Sequence, residues 1–186
     1  MDPRIVRTRR SLRQAALELA TERALDEITV GDIAERAGVN RSSFYQHYSD
    51  KETLLADALD AVVEETGASL EGPLDRIDEP PAAFLRFIGH VDEHAELYRW
   101  ALGPHGSSVV TARLRSRVEA LVLHHLALAE DAPFEGIPDD IVAAGVAGSG
   151  LGAVRAWVEG EPRAPVPVAT GWLWRMLLLG AGRRLD

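Results

Sequence analysis

Side chains able to contact nucleic acid are concentrated in one short run of this sequence, RSSFYQHY at residues 41–48. At helical spacing Phe44 turns inward, and the polar side chains around it face outward. An arginine, short hydroxyls and a glutamine can hydrogen-bond the edges of DNA bases in a major groove. The sequence therefore predicts a DNA-reading helix, whose candidate base contacts are Arg41, Ser42, Ser43 and Gln46.

The residues before this helix predict that it is the second helix of a helix-turn-helix motif. Thr29 and Asp32 stand three residues apart, as in the capping box that begins a helix. Gly38 can then turn the chain sharply, and Asn40 is a favoured N-cap for the next helix. Each feature alone is more often a simple cap or a helix stop. Their ordered combination with the inward Phe44 is far more specific for DNA recognition.

A further helix is expected directly after the motif. Ser49 and Glu52 repeat the capping-box spacing, and Leu54, Leu55 and Leu59 then recur on one face. This helix would join the motif to the rest of the chain.

The motif resembles the DNA-binding domain of TetR/AcrR-type transcriptional regulators, over about the first third of the chain. The matching runs are AERAGV at 34–39, FYQHY at 44–48 and DKETLL at 50–55. The resemblance implies an all-helical homodimer that binds palindromic operators. It also implies that a small molecule in the C-terminal domain releases the DNA.

Lys51 is the only lysine in the chain. A cation in the first turn of a helix is mildly disfavoured by the helix dipole, and a nearby phosphate would reverse that penalty. The resemblance implies that Lys51 contacts the operator backbone, and it implies the same for Tyr45 and His47. Thr29, at the start of the motif, is also a candidate DNA contact.

The charge of the chain is unevenly distributed. The net charge is −9, yet residues 1–52 hold nine basic and nine acidic residues, so the whole excess lies in residues 53–186. Five arginines crowd the first thirteen residues against a single acid, and Arg7, Arg9 and Arg10 are the candidate DNA contacts among them. We expect a flexible basic arm that follows phosphates or enters a minor groove. The alternative for each arginine is a solvated tail.

Composition narrows the class of protein. The chain has 186 residues, 46% of them hydrophobic, which is enough for a small reading domain and a larger packed one. It has no cysteine, which excludes disulfides, thiolate zinc sites and cysteine nucleophiles. The N-terminus lacks the apolar region of a signal peptide, and no run is judged long enough to span a bilayer. A soluble cytoplasmic protein is expected.

Helical periodicity continues along the chain and predicts an all-α fold of about nine helices. We expect a three-helix DNA-binding domain at 1–52 and a helical effector-binding and dimerisation domain at 53–186. The first helix is placed at about 8–24, the fourth at about 51–70 before the breaker run 71–73, and later helices at about 82–102 and 108–129. The run 131–138 is expected to be a loop.

The last two helices, predicted at 141–158 and after a proline-rich linker at 161–167, carry a strip of small residues and an apolar face. Small side chains at i,i+4 spacing let another backbone approach closely. By analogy with the family, these helices should form a four-helix bundle with a second copy. The expected interface residues are Ala144, Gly148, Gly152, Ala156, Trp172, Leu173, Met176 and Leu177. The competing interpretation is a helix pair inside one chain.

Signals for catalysis or metal binding are weak. His90 and His94 have i,i+4 spacing but lack an evident third ligand, so no metal or other cofactor is expected. No nucleophile elbow, phosphate loop or spaced carboxylate pair indicates an enzyme. The aromatic and histidine side chains of the C-terminal helices instead suggest an apolar ligand pocket with a few polar groups. Its candidate lining is His94, Tyr98, Trp100, His125 and Trp157, with ordinary helix packing as the alternative.

Two functions from different classes remain at this point. The first is a ligand-responsive DNA-binding transcriptional regulator, a homodimeric repressor released from double-stranded operator DNA by a small-molecule effector. The second is a helical ligand carrier or protein-interaction module with a vestigial DNA-binding head. The retained caps, turn glycine and outward polar groups favour the first.

Overall fold

The computed structural model describes residues 2–68, 79–104, 106–128 and 136–180, and every element in these ranges is helical. The predicted breaker at 71–73 and most of the loop at 131–138 lie outside them. The helices are α1 (Pro3–Glu22), α2 (Val30–Arg36), α3 (Arg41–His47), α4 (Lys51–Ala68), α5 (Ala82–Glu93), α6 (Ala95–Leu102), α7 (Ser108–Leu128), α8 (Asp139–Glu159) and α9 (Val166–Gly180). A 3-10 turn, Leu25–Glu27, precedes α2. The all-α fold of about nine helices is confirmed.

The first helix begins earlier than the sequence indicated. The Asp2 side chain accepts a hydrogen bond from the Arg4 backbone at 2.8 Å, and Pro3 occupies the first turn. Both features favour a helix start, because the cap satisfies a free N–H and proline has none to satisfy. The expected flexible basic arm is therefore helical from Pro3 onward.

The head of the molecule consists of α1, α2 and α3, which surround a small core. Leu12, Leu19, Ile33 and Phe44 are almost completely buried there. α4 packs against α1 on one side and against α5 and α7 on the other. The predicted domain boundary at 52/53 falls in the first turn of this connecting helix.

The remaining helices form a second, continuous layer. α8 packs against α6, α7 and α9, and α5 packs against α9. The predicted helix at 82–102 is two helices, since the chain bends at His94 between α5 and α6. An ion pair of 2.9 Å between Arg163 and Asp92 attaches the linker between α8 and α9 to α5.

α8 is long and apolar enough, by length and composition, to cross a membrane. This corrects the expectation that no segment reaches that length. A helix covered by protein meets the same criterion, so the observation is weak evidence for a membrane span. Only 39% of its apolar window is buried within the chain. Part of this helix is therefore available to a partner.

Candidate DNA-binding surface

The start of α2 is fixed by the predicted capping box. The backbone N–H of Thr29 donates to Asp32 Oδ2 at 2.8 Å, and the backbone N–H of Asp32 donates to Thr29 Oγ1 at 3.2 Å. The bond from the Thr29 backbone, followed by a bond from the Thr29 hydroxyl to the same carboxylate, lowers the pKa of Asp32. Thr29 itself is exposed at the edge of the head.

The turn between α2 and α3 depends on Gly38. Its φ of +68° is in the left-handed region that glycine adopts without a Cβ clash. The backbone N–H of Val39 then donates to the Ala34 carbonyl at 2.9 Å, which closes the helix end. Ala34 and Phe44, which the sequence predicted to face inward, are both buried.

Asn40 begins α3 as predicted. Its side-chain oxygen accepts from the Ser43 backbone at 2.7 Å and from the Ser42 hydroxyl at 2.6 Å. The cap orients the first turn, where three of the predicted base-contacting residues lie.

One face of α3 is open to solvent. Arg41, Ser42, Tyr45 and Gln46 are exposed, Ser43 and His47 are half-buried, and Phe44 is fully buried. The Arg41 guanidinium lies 5.8 Å from the centre of the Tyr45 ring, so the two side chains form one surface. The structure thus presents the predicted polar groups together on an outward helix.

The helix that follows has a different cap from the predicted one. Asp50, rather than Ser49, accepts the hydrogen bond from the backbone of Thr53, at 2.7 Å. Glu52 does not return to the cap, because its carboxylate accepts a bond from the Ser107 hydroxyl at the start of α7. The predicted Ser49–Glu52 capping box is therefore wrong, and Glu52 connects the two parts of the molecule.

Lys51 makes two structural hydrogen bonds that the sequence did not predict. Its Nζ donates to the Leu25 carbonyl and, at 2.9 Å, to the Ile28 carbonyl. These contacts hold the 3-10 turn before α2 against the start of α4. An ammonium group has three donors, so one remains for a phosphate.

Of the basic residues on α1, Arg4, Arg7 and Arg10 are exposed, but Arg9 is engaged. The guanidinium of Arg9 donates to Asp57 at 2.7 Å and to the Tyr48 hydroxyl at 3.3 Å. The expectation that Arg9 belongs to a free arm is corrected, since its charge is paired with α4.

Asp57 on α4 connects α1 and the end of α3, a role that the sequence analysis did not predict. It is 8% exposed and accepts hydrogen bonds from Arg9, from Arg13 at 3.4 Å and from Tyr48 at 2.5 Å. Burial raises the pKa of Tyr48 to about 12, so its hydroxyl remains a donor. A carboxylate within the apolar run 54–59 was the available signal, because a buried charge needs partners. Asp57 thereby holds α1, α4 and the C-terminal end of α3 in one arrangement.

The candidate effector residues are buried or half-buried among the described helices. Trp157 is buried, and its indole N–H donates to the Ala164 carbonyl at 2.9 Å, which closes the linker after α8. Trp100 packs at the edge of the core, and His125 is buried on α7. His94 and Tyr98 are buried beside His90, with ring centres 4.3 Å and 5.9 Å from it, respectively.

A cavity of about 190 Å³ lies between α4 and α5. α4 contributes Val62, Glu65 and Thr66, and α5 contributes Arg86, Phe87 and His90. None of the five candidate effector residues borders this cavity, although His94 and Tyr98 lie beside the His90 ring, so their part in ligand binding stays a prediction. The sequence signal was the helical repeat of His90, His94 and Tyr98 at four-residue spacing.

His90 and His94 come close enough to share a ligand. Among the residues that the structure describes, however, no group of three potential metal ligands assembles around them. Burial lowers the pKa of His90 to about 4 and also lowers that of His94. Both imidazoles are therefore neutral at neutral pH.

The expected interface residues divide into two sets. Ala144, Gly152, Ala156, Trp172 and Met176 are exposed, and Gly148 is half-exposed. Leu173 is 5% exposed and Leu177 packs against the core of its own chain. Leu173 therefore lies in the core of its own chain, whereas Leu177 is only partly covered by it.

Residues 12–58 match the family model for the tetR family of bacterial regulatory proteins. Among curated relatives, the uncharacterized HTH-type transcriptional regulator YxbF of Bacillus subtilis is 43% identical over 56 residues. That match covers 30% of this chain and spans 15% of the relative's length.

The described fold also matches solved structures along nearly its whole length. A TetR transcriptional regulator from Rhodococcus sp. RHA1 aligns with a TM-score of 0.65 at 20% identity, covering 94% of this chain and 96% of the other. FadR of Thermus thermophilus, a TetR-family repressor in complex with lauroyl-CoA, gives 0.61 at 20% identity, covering 96% and 97%. The exposed α3 face and the matched family model agree that residues 12–58 form a helix-turn-helix domain of the tetR family of bacterial regulatory proteins, and the described helices share the fold of the solved TetR-family regulators.

Proposed function

We propose that this chain is a repressor that binds a palindromic operator as a homodimer in the cytoplasm and releases the DNA when a small molecule binds its C-terminal helices. The observation that supports the proposal most strongly is α3 itself. The helix is anchored by the buried Phe44 and capped by Asn40, yet its Arg41, Tyr45 and Gln46 side chains face solvent. A rigid helix with an exposed polar face suits a major groove.

The proposed contacts fall into two groups with different effects. Arg41, Ser42, Ser43 and Gln46 contact base edges and set the preferred sequence. Thr29, Tyr45, His47 and Lys51 contact phosphates and set the register. The exposed Arg7 and Arg10 extend the phosphate contacts along α1, whereas Arg9 takes part only if it exchanges Asp57 for a phosphate.

A second copy of the chain is the proposed partner of the α8–α9 face. This face comprises the exposed residues Ile141, Ala144, Gly152, Ala156, Val168, Trp172 and Met176. A Cβ added at Gly148 or Gly152 would meet no atom within 4 Å in one chain. The open strip and the exposed Trp172 and Met176 suit a close helix–helix contact. Two copies would place their α3 helices in successive major grooves, about 34–36 Å apart.

Ligand release is supported by the likeness to FadR of Thermus thermophilus, whose structure contains lauroyl-CoA. In this chain α4 connects the cavity to the head, because Val62 and Thr66 border the cavity and Asp57 holds Arg9 and Tyr48. A ligand that favours another position of α4 would shift the population toward a conformer with lower operator affinity.

The first experiment selects bound sequences from random duplex DNA with the purified chain at moderate salt. We expect one enriched palindrome, because two identical heads read two half-sites. Enrichment of a single half-site would contradict the homodimer. Recovery of no preferred sequence would contradict DNA reading and favour the carrier or interaction module.

The second experiment separates base contacts from phosphate contacts. Arg41→Ala should reduce the preference for the selected sequence by about 1–3 kcal/mol. Lys51→Gln should weaken all sequences alike and reduce the slope of log affinity against log salt by about 1 per phosphate contact. Glutamine keeps N–H donors near the Leu25 and Ile28 carbonyls and removes the charge, and a melting curve verifies that the variant is folded.

Arg115→Ala is the matched control, because Arg115 is exposed on α7, outside the head. It should leave both quantities unchanged. If Lys51→Gln behaves like this control, Lys51 contacts no phosphate.

A further inference from the structure

The N-cap of α3 fixes the orientation of the Asn40 amide. The backbone N–H of Ser43 can only donate, so the Asn40 side-chain atom that faces it at 2.7 Å is the amide oxygen. Asn40 is exposed, but this bond holds its side chain at the end of the helix that carries the proposed base contacts. The amide oxygen of Asn40 is therefore committed to the start of α3.

The same amide oxygen determines the hydrogen-bonding role of Ser42. The Ser42 hydroxyl lies 2.6 Å from Asn40 Oδ1, and an amide oxygen can only accept. Ser42 therefore donates its single hydroxyl proton to Asn40. The Ser42 oxygen keeps its lone pairs, so toward any other molecule this side chain is an acceptor.

Ser43 provides a contrast within the same turn. It contributes its backbone N–H to the cap, and its hydroxyl is not part of that bond. A serine hydroxyl that is not committed to a partner can either donate or accept, because it rotates to suit the group it meets. The two neighbouring serines therefore differ in chemistry although their side chains are identical.

An acceptor in a major groove distinguishes the bases by their exocyclic groups. Adenine presents an amino group at N6 and cytosine one at N4, whereas guanine presents the acceptors O6 and N7 and thymine presents O4. Ser42 as an acceptor can hydrogen-bond adenine or cytosine. Opposite guanine or thymine, two acceptors face each other unless Ser42 gives up its bond to Asn40, which costs one net hydrogen bond.

We propose that Asn40 is a positioning residue for base recognition: by accepting the Ser42 proton, it makes Ser42 select adenine or cytosine over guanine or thymine at the operator position that Ser42 contacts. The inference deepens the proposed function and rests on it, because it takes Ser42 to be a base contact. Asn40 thus influences the preferred sequence through its neighbour, in addition to starting the helix.

The test repeats the selection from random duplex DNA with the wild-type chain and with Ser42→Ala. The position that Ser42 contacts is the one whose base preference is lost in Ser42→Ala. For the wild-type chain, the four base pairs at this position should form two classes, those with adenine or cytosine on one strand and those with guanine or thymine on that strand. Gel-shift titrations should give about a fivefold difference in affinity between the classes, which is the effect of one net hydrogen bond.

Two substitutions of Asn40 separate base recognition from helix capping. Asn40→Gly removes the acceptor, and glycine is tolerated at an N-cap, so the chain should stay folded while the released Ser42 hydroxyl loses its preference. Asn40→Asp is the matched control, because aspartate caps as well as asparagine and keeps an oxygen for Ser42. Its negative charge should weaken binding to every sequence, but the fivefold ratio should remain. Melting curves verify the folding of both variants.

A role in capping alone predicts a different result. Asn40→Gly would then weaken binding to all sequences alike and leave the ratio between the two classes unchanged. Ser43→Ala provides an internal comparison, since a base preference that depends on Ser43 should be the same in Asn40→Gly as in the wild-type chain.

The inference is overturned if no position depends on Ser42, if the base pairs at that position divide in another way, or if Asn40→Gly keeps the wild-type ratio. Each of these results, obtained with an enriched operator, leaves the proposed function standing. Recovery of no preferred sequence by the wild-type chain contradicts the proposed function and this inference with it.

Discussion

Asp57 shows how one buried side chain can organise a reading head. Its carboxylate binds Arg9, Arg13 and the Tyr48 hydroxyl in a region where solvent is excluded. Three residues later, Asp60 binds Arg113 of α7 at 2.5 Å. Two acids on one helix therefore connect the head and the C-terminal helices.

Tyr48→Phe should destabilise the protein by about 1–3 kcal/mol, because the buried Asp57 carboxylate loses a donor. Tyr45→Phe removes the same atom from an exposed ring and should change stability by less than about 0.5 kcal/mol. Urea denaturation followed by circular dichroism measures both. Equal effects of the two changes would show that the Tyr48–Asp57 bond contributes nothing.

At the scale of elements, the local signals within the helix-turn-helix motif were reliable, the Ser49–Glu52 spacing that follows it was misleading, and the long-range contacts were not visible. Thr29, Gly38 and Asn40 act on residues within three or four positions, so their roles could be predicted from spacing. The bonds from Arg9 to Asp57 and from Ser107 to Glu52 join residues 48 and 55 positions apart. The sequence pattern cannot select such partners, because the chain contains many charged and polar side chains that could pair at these long separations.

The bend between α5 and α6 illustrates the same limit. The sequence predicted one helix across 82–102, since no proline or glycine stands at the junction. His94 leaves the helical conformation, with φ −109° and ψ 33°, while its ring stays buried beside His90. The bend therefore depends on tertiary packing around His94, which helical periodicity alone does not reveal.

Gly38→Ala should destabilise the protein by about 1 kcal/mol or more, because alanine is strained at a φ of +68°. Gly89→Ala is the matched control within α5, where an added Cβ meets no atom within 4 Å. It should stabilise the protein by about 0.5–1 kcal/mol. Urea denaturation provides both values, and effects of the same sign would contradict the role of Gly38 in the turn.

At the scale of the whole molecule, the uneven charge distribution and the proposed two-fold symmetry together determine which surface can approach DNA. The head is neutral and the rest of the chain carries the excess of −9, so a dimer would carry 2 × −9 = −18. The acidic part is repelled by DNA, which leaves the two heads as the surfaces that can approach it. Two weakly charged heads need to act together, so the proposed dimer face matters for affinity as well as for geometry.

Trp172→Arg and Gly148→Leu should each weaken the dimer at least tenfold, by placing a charge or a bulky side chain in the α8–α9 face. Val109→Arg is the control, because Val109 and Trp172 are both 47% exposed and Val109 lies on α7. Analytical ultracentrifugation over a concentration series measures the dissociation constants. A monomeric wild-type chain, or variants that associate normally, would contradict the proposed interface.

Lys51 has one further consequence. As the sole lysine it carries the only side-chain amine of the chain, and its protonated nitrogen is bound by two backbone carbonyls between the head and α4. Acylation requires a free, deprotonated amine, so modification at this position proceeds when the Lys51 side chain leaves these two carbonyls. The rate of acylation at a single atom therefore reports how often this contact between the reading head and its connecting helix is broken.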